Sequence, residues 1–236
     1  MNKLWKKYDK LTVDCYNQFV SGGIKMDCWH NTFATLIQAI ETERENNKDF
    51  GKKFFELEDE LDYRYEIQGW LEDYLDELEM KEQHDTLIQC CEKLISLFDW
   101  KEDTPSDFKF RIASALGAQQ KFKDAHEYCE QWYAEEPDNL MAATAAVYAR
   151  IGVRDMTDAE EIVTQFITDD TICSDDNDIM FIAAEALYKL TGNKKAEKEI
   201  QKSIQKYEEE LNNFLFGLDD DDEADWDWGE EDLPFD

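Results

Sequence analysis

A chain of 236 residues and 27.8 kDa with 42 % apolar residues can bury a sizeable core, which argues against wholesale disorder despite a mean hydropathy of -0.70. Fifty-seven acids against 25 bases give a formal net charge of -32, which repels phosphate backbones and anionic lipid and argues against nucleic-acid or membrane binding. Nine glycines and three prolines leave little turn material for a many-stranded sheet.

Helical periodicity runs along nearly the whole chain. Leu4, Tyr8, Leu11 and Cys15 step by three or four, as do Trp29, Phe33, Leu36/Ile37 and Ile40. These stripes predict amphipathic helices over 3–20 and 27–46, separated by Ser21-Gly22-Gly23. Residues 51–80 read as helical too, with a change of register near Gln68-Gly69, and a further helix carries Leu87/Ile88, Cys91, Leu94/Ile95 and Phe98. The six cysteines form no CxxC pair, so they read as reduced thiols of a cytoplasmic protein rather than a disulfide framework. No stretch has the continuous apolar run of a signal peptide or a membrane span.

From Thr104 onward the punctuation becomes regular. Thr104 is placed to cap a helix with Pro105 in its first turn, and Gly117 stands near that helix's end. Phe122, Ala125, Tyr128, Cys129 and Trp132 form a second helix, broken by Pro137-Asp138-Asn139. An Ala-rich helix from Leu140 ends at Gly152, and Thr157-Asp158-Ala159-Glu160 reads as a capping box opening the next. Residues 179–190 are helical, Thr191-Gly192-Asn193 turns the chain, and Ala196 to Leu215 line a long final helix with Gly217 as its stop. Ala125 and Ala159 lie 34 residues apart and Ala159 and Ala196 37, a period that signals a solenoid of helix hairpins.

On these residues the chain resembles the tetratricopeptide (TPR) family. The best unit is 106–139, with Lys121-Phe122-Lys123-Asp124-Ala125 similar to the family's turn and small-residue signature and Glu136-Pro137-Asp138-Asn139 to its closing signature. Residues 140–173 and the stretch from Asn177 look like further units, and 67–98, with Trp70 near its start, like an earlier one. Trp132 and Phe166 stand where the family usually has a small residue, which predicts splayed hairpins. The resemblance covers roughly residues 67–210. It implies a right-handed solenoid of antiparallel helix hairpins over 67–217; the helical periodicity throughout makes the fold all-α, with an N-terminal helical segment, 1–66, packing on the repeats, and the acidic composition of 218–236 predicts a disordered tail.

The residues that could carry chemistry return few signals. GxxxxGK[ST], GxGxxG and HExxH are all absent. In His126-Glu127-Tyr128-Cys129-Glu130, Glu130 stands where a second zinc ligand would be, and Cys28 and His30 project to different faces of one helix. Vicinal Cys90-Cys91 reads as core more readily than as an oxidant sensor. Glu58, Asp62 and Glu66 read as a like-charged i,i+4 ladder on a solvated helix face. The Asp169-Asp170 and Asp175-Asp176-Asn177-Asp178 loop lacks the glycine and terminal Glu of an EF-hand. Neither an enzyme activity, nor a metal, nor a cofactor is expected.

Eleven of the last eighteen residues are acidic, yet Trp226, Trp228, Leu233 and Phe235 are interleaved among them. Acids alone would suffice to keep a tail solvated, so the aromatics Trp226, Trp228 and Phe235 read as docking anchors for a partner or for the chain's own groove. The family's inner wall comes from the first helix of each unit. Carried over, the resemblance implies a non-enzymatic scaffold or adaptor that binds a protein or peptide through a concave wall containing Phe110, Thr144, Tyr148, Phe181, Glu185 and Tyr188. Such a wall is aromatic and weakly acidic and lacks the Lys/Asn set that clamps a terminal carboxylate. Two rival readings are an acidic mimic of nucleic acid seated in a basic protein cleft, and an enzyme with no recognisable motif.

Overall fold

In the computed structural model, which describes residues 2–216, every regular element is a helix. They are α1 (Lys3–Ser21), α2 (Met26–Asn46), α3 (Leu57–Glu60), α4 (Gln68–Met80), α5 (His84–Leu97), α6 (Ser106–Ala118), α7 (Phe122–Glu135), α8 (Leu140–Gly152), α9 (Met156–Phe166), α10 (Asp178–Thr191) and α11 (Lys194–Phe216). No strand occurs among the described residues, and no helix among them is long and apolar enough to cross a membrane. By contact they group into two compact units, one within Met1–Val153 and one within Arg154–Asp236.

The first unit is organised by aromatic rings. One face of α2 buries Trp29, Thr32, Leu36 and Ile40, and one face of α4 buries Trp70, Tyr74 and Leu78. Trp29 stacks on Trp70 with ring centroids 5.7 Å apart, and Trp70 stacks on Tyr74 at 5.3 Å. From α1, Tyr8 meets Trp70 edge-on at 5.8 Å and Tyr16 meets Trp29 at 6.1 Å. Buried phenols need partners for their hydroxyls, and the three tyrosines have them. The Tyr8 hydroxyl donates to the Glu66 carbonyl at 2.9 Å, Tyr16 donates to Asp73 at 2.9 Å, and the Tyr74 hydroxyl shares a 2.7 Å hydrogen bond with His30 Nδ1. Residues 3–46 are thus bound to α4 through indole and phenol faces.

Between α2 and α4 the structure departs from the sequence expectation. Residues 51–67 are not one helix: a single turn, α3, stands among irregular backbone, and Asp62 and Tyr63 both take φ of 53°. The Glu58–Asp62–Glu66 ladder therefore does not form. Like charges one turn apart disfavour a helix here, and Glu58 has better work. Its Oε1 accepts from the Ile67 and Gln68 amides at 2.5 and 2.8 Å, satisfying the donors that open α4. Arg44 holds the other end, donating to the carbonyls of Phe50, Gly51 and Leu97 while lying 5.7 Å from the centre of the Phe98 ring. Gly51 has φ of +55°, and a Cβ there would stand 2.7 Å from Leu57 Cδ1, so this position needs glycine.

From α4 onward consecutive helices pack on each other, α4 on α5, α5 on α6, α6 on α7 and α7 on α8, and α6 also touches α8. The Glu136-Pro137-Asp138-Asn139 stretch is the junction. Asn139 Oδ1 caps α8 by accepting from the Met141 and Ala142 amides, while its Nδ2 donates to Ser106 on α6 and to Glu136. Lys109 of α6 donates to Glu136 at 2.6 Å. Two other caps differ from expectation. Thr104 does not cap α6, because Pro105 occupies the N-cap and the Thr104 hydroxyl bonds Ser106 instead. The cap of α9 is Asp155 rather than Thr157, since the helix starts one residue before the threonine.

In the second unit α9 packs on α10 and α10 on α11. Gly192, with φ of 74°, closes α10 as the sequence turn requires. The acidic loop before α10 is ordered by Asn177, whose side chain accepts from the Ser174 amide and donates to the Ile172 carbonyl.

Two predictions follow from these contacts. Trp70→Ala should lower unfolding free energy by about 3–5 kcal/mol in urea titrations, because it empties the centre of the aromatic stack. Burial disfavours ionisation of Glu136, but hydrogen bonds from Lys109 and Asn139 outweigh it and hold the carboxyl below its ordinary 4.5. A lowered folded pKa gives stability that is present above the unfolded value and drains away as pH falls through the folded one. Urea midpoints should therefore show wild type above Glu136→Gln at neutral pH, with the difference closing as pH falls below the ordinary carboxylate range.

Candidate functional site

The face of α4 next to the aromatic stack carries Gln68, Leu71, Glu72, Leu75, Asp76 and Glu79, spaced by three and four along one side. Across from it α6 presents Asp107, Phe108, Phe110, Arg111 and Ser114. Phe54 and Phe55 from the irregular segment, Trp100, Thr104 and Pro105 from the α5–α6 connection, and Met141 at the start of α8 complete the wall. Together these residues enclose a cavity of about 500 Å³, within the range of ligand-binding clefts.

Its floor is aromatic. Phe54 and Phe108 are buried and lie 5.5 Å apart, Trp100 sits 6.0 Å from Phe54 and 5.8 Å from Phe108, and Phe55 meets Trp100 edge-on. The Trp100 indole donates to the Ile95 carbonyl at 2.9 Å, which fixes its ring. Phe55 remains 51 % exposed, and Phe110 and Trp100 are half-buried, so three aromatic surfaces stay open to a ligand. The rim is acidic: Glu72, Asp76, Glu79 and Asp107 surround one cation, Arg111. Arg111 donates to Asp76 at 2.6 Å and lies 3.3 Å from Glu79. Burial disfavours the guanidinium, yet these two carboxylates raise its affinity for the proton above the ordinary arginine value. Glu72 and Asp107 stand exposed beside that pair.

Of the residues the sequence assigned to a binding wall, Phe110 lines this cavity. Tyr148 is exposed on α8 but is not part of the lining. Thr144 is fully buried, with its hydroxyl donating to the Leu140 carbonyl, so it offers nothing to a ligand. In the second unit Phe181 and Tyr188 are buried, and Glu185 accepts from Gln201 at 2.7 Å. These placements have one cause: on a short Ala-rich or apolar helix several faces are buried, and the residue spacing does not say which one stays open. Trp226, Trp228 and Phe235 lie outside the described residues. Phe54, Phe55 and Trp100 were missed, since they come from irregular segments that carry no periodicity.

No cysteine lines this cavity. Cys90 is raised to about 11, and Cys91 and Cys129 to about 12, by burial above all. Among the described residues no group of three or more His, Cys, Asp or Glu side chains is arranged to hold a metal ion. The chain matches no protein-family model, no curated protein and no solved structure.

Removing the cation from the rim should be costly. Arg111→Met leaves Asp76 and Glu79 facing each other one turn apart on α4, and should destabilise by about 1–3 kcal/mol. The loss should shrink in high salt, which screens the two carboxylates, as thermal melts at low and high ionic strength would show.

Proposed function

We propose that this protein is a non-catalytic peptide-binding adaptor. Its ligand is a basic segment bearing an apolar or aromatic anchor, received in the acid-rimmed aromatic cavity between α4 and α6. The observation that carries this reading is the pairing of three open aromatic surfaces with four carboxylates around a single, already paired arginine. An apolar side chain would cover Phe55, Trp100 and Phe110, and flanking lysine or arginine would meet Glu72 and Asp107 and lie against ring faces. Charge complementarity with a protein of net -32 favours the same ligand class and speeds its capture.

The tetratricopeptide resemblance is supported by the succession of packed helices from α4 to α8, by the contact of α6 with α8 across α7, and by a cavity walled mainly by α4 and α6, each the first helix of its hairpin. The segment 218–236 is proposed to dock on a partner rather than in this cavity, because its acids would confront the acidic rim.

Fluorescence anisotropy with short synthetic peptides tests the reading. Peptides with a central Trp or Leu flanked by Arg and Lys should bind, and matched peptides flanked by Asp and Glu should not. Phe55→Ala should weaken binding about tenfold, or about 1.4 kcal/mol, with little effect on folding because the ring is half exposed. Glu72→Gln with Asp107→Asn should weaken binding and flatten its salt dependence. Equal binding of both peptide classes, or a Phe55→Ala variant that binds like wild type, would overturn the proposal and leave capture by general surface charge.

A further inference from the structure

α1 and α2 form a hairpin across a turn in which Gly22 has φ of 74° and open space surrounds both Gly22 and Gly23. On either side of that turn stand two cysteines. Cys15 Sγ of α1 donates a hydrogen bond to Cys28 Sγ, in the first turn of α2, with the sulfurs 3.4 Å apart. Cys15 is fully buried, and the Thr32 hydroxyl lies 3.3 Å from its sulfur. Cys28 is only half-buried. The two thiols therefore differ in access while their sulfurs touch. The sequence-adjacent pair has no such arrangement: Cys90 and Cys91 are both buried, and Cys90 faces the Tyr74 hydroxyl at 3.7 Å.

We propose that Cys15 and Cys28 are a redox-active thiol pair that closes reversibly to an intramolecular disulfide, Cys28 reacting first with a hydroperoxide and Cys15 resolving it. In the first step the Cys28 thiolate attacks one peroxide oxygen, the O–O bond breaks, and hydroxide leaves, giving Cys28 sulfenic acid. In the second, Cys15 sulfur attacks Cys28 sulfur, the S–O bond breaks, and the Cys15 proton departs with the hydroxyl as water. The pair loses two electrons and the peroxide gains them. A dithiol reverses the change by thiol–disulfide exchange.

The order of the roles follows from the geometry. Only Cys28 has surface for an oxidant to approach, and a sulfenic acid on it forms in contact with the resolving thiol. Burial raises the Cys15 thiol to about 12, which disfavours it as the first nucleophile. Closing the bond requires the sulfurs to approach by about 1.4 Å, from contact to covalent distance. The glycine turn between the helices has the room to absorb that shift. The product would tie α1 to α2 next to Trp29 in the chain.

The full-length reduced protein is treated with hydrogen peroxide, remaining thiols are trapped with N-ethylmaleimide, and the chain is analysed by intact mass and non-reducing peptide mapping. The expected product is a monomer lacking two hydrogens, with the Cys15 and Cys28 peptides joined, maleimide labelling lost at both, and both restored by dithiothreitol. Cys28→Ser should abolish the cross-link and leave Cys15 as a free thiol. Cys15→Ala, checked for native helix content by circular dichroism, should leave Cys28 carrying added oxygen instead of a cross-link. Should the Cys15 variant fail to fold, the Cys28→Ser variant and the wild-type peptide map decide alone. A cross-link through other cysteines or between chains, sulfinic acid at Cys28 of the wild type with Cys15 free, or no reaction at peroxide levels that oxidise glutathione would each overturn the assignment.

Discussion

Two stacked indoles, Trp29 and Trp70, join α2 to α4, and the placement of the candidate site depends on that contact. Each buried indole removes about 150–250 Å² from water, worth about 4–6 kcal/mol of transfer free energy before entropic losses. Ring planes also set direction, so stacking fixes the rotation of α4 about its axis as well as its distance. With Trp70, Tyr74 and Leu78 packed on the aromatic stack, Glu72, Asp76 and Glu79 come to the rim of the cavity, and the buried Leu71 and Leu75 complete its α4 wall. Glu58 and Arg44 then serve the same end, one by capping α4 and the other by holding the irregular segment that brings Phe54 and Phe55 to the cavity mouth.

A chain so acidic must place its few cations with care. Arg44 gives its donors to three backbone carbonyls, Arg111 spans two carboxylates of α4, Arg150 pairs with Glu130 of α7 at 2.7 Å, and Lys109 clasps Glu136 below the face of Trp132. Each of these joins two different elements. Exposed pairs within one helix, such as Lys206 with Glu210 and Lys195 with Glu199, contribute little. The surplus acids are left to solvent, where mutual repulsion is tolerable, and around the cavity, where a cationic ligand would relieve it.

The helices were legible because their signals are local. Asn139 and Gly192 mark real helix boundaries, and the stripes of α1, α2 and α5 recur largely as buried faces. The segment 51–67 was not legible, since its apolar residues happen to step by three and four although their partners come from α2, α5 and α6. Thr157 and Thr104 show a related limit: the residue that caps is the one whose backbone leaves the helix, and a favourable side chain one or two positions away does not override that. The cavity was legible only at Phe110. Its other aromatic rings lie on connections, and the choice between core and wall along α8 and α10 rests on neighbours distant in sequence. The Cys15–Cys28 contact was hidden for the same reason, because two thiols 13 residues apart meet only when the hairpin closes.

The distribution of indoles has a spectroscopic consequence. All five tryptophans among the described residues, Trp5, Trp29, Trp70, Trp100 and Trp132, belong to the unit within Met1–Val153, and the unit from Arg154 has tyrosines but no described tryptophan. With Trp226 and Trp228 replaced by Phe, indole emission would report on the first unit alone, while far-ultraviolet ellipticity would sum over both. Comparing the two signals through one denaturant titration would reveal whether the halves of the chain melt as a single cooperative system or in sequence.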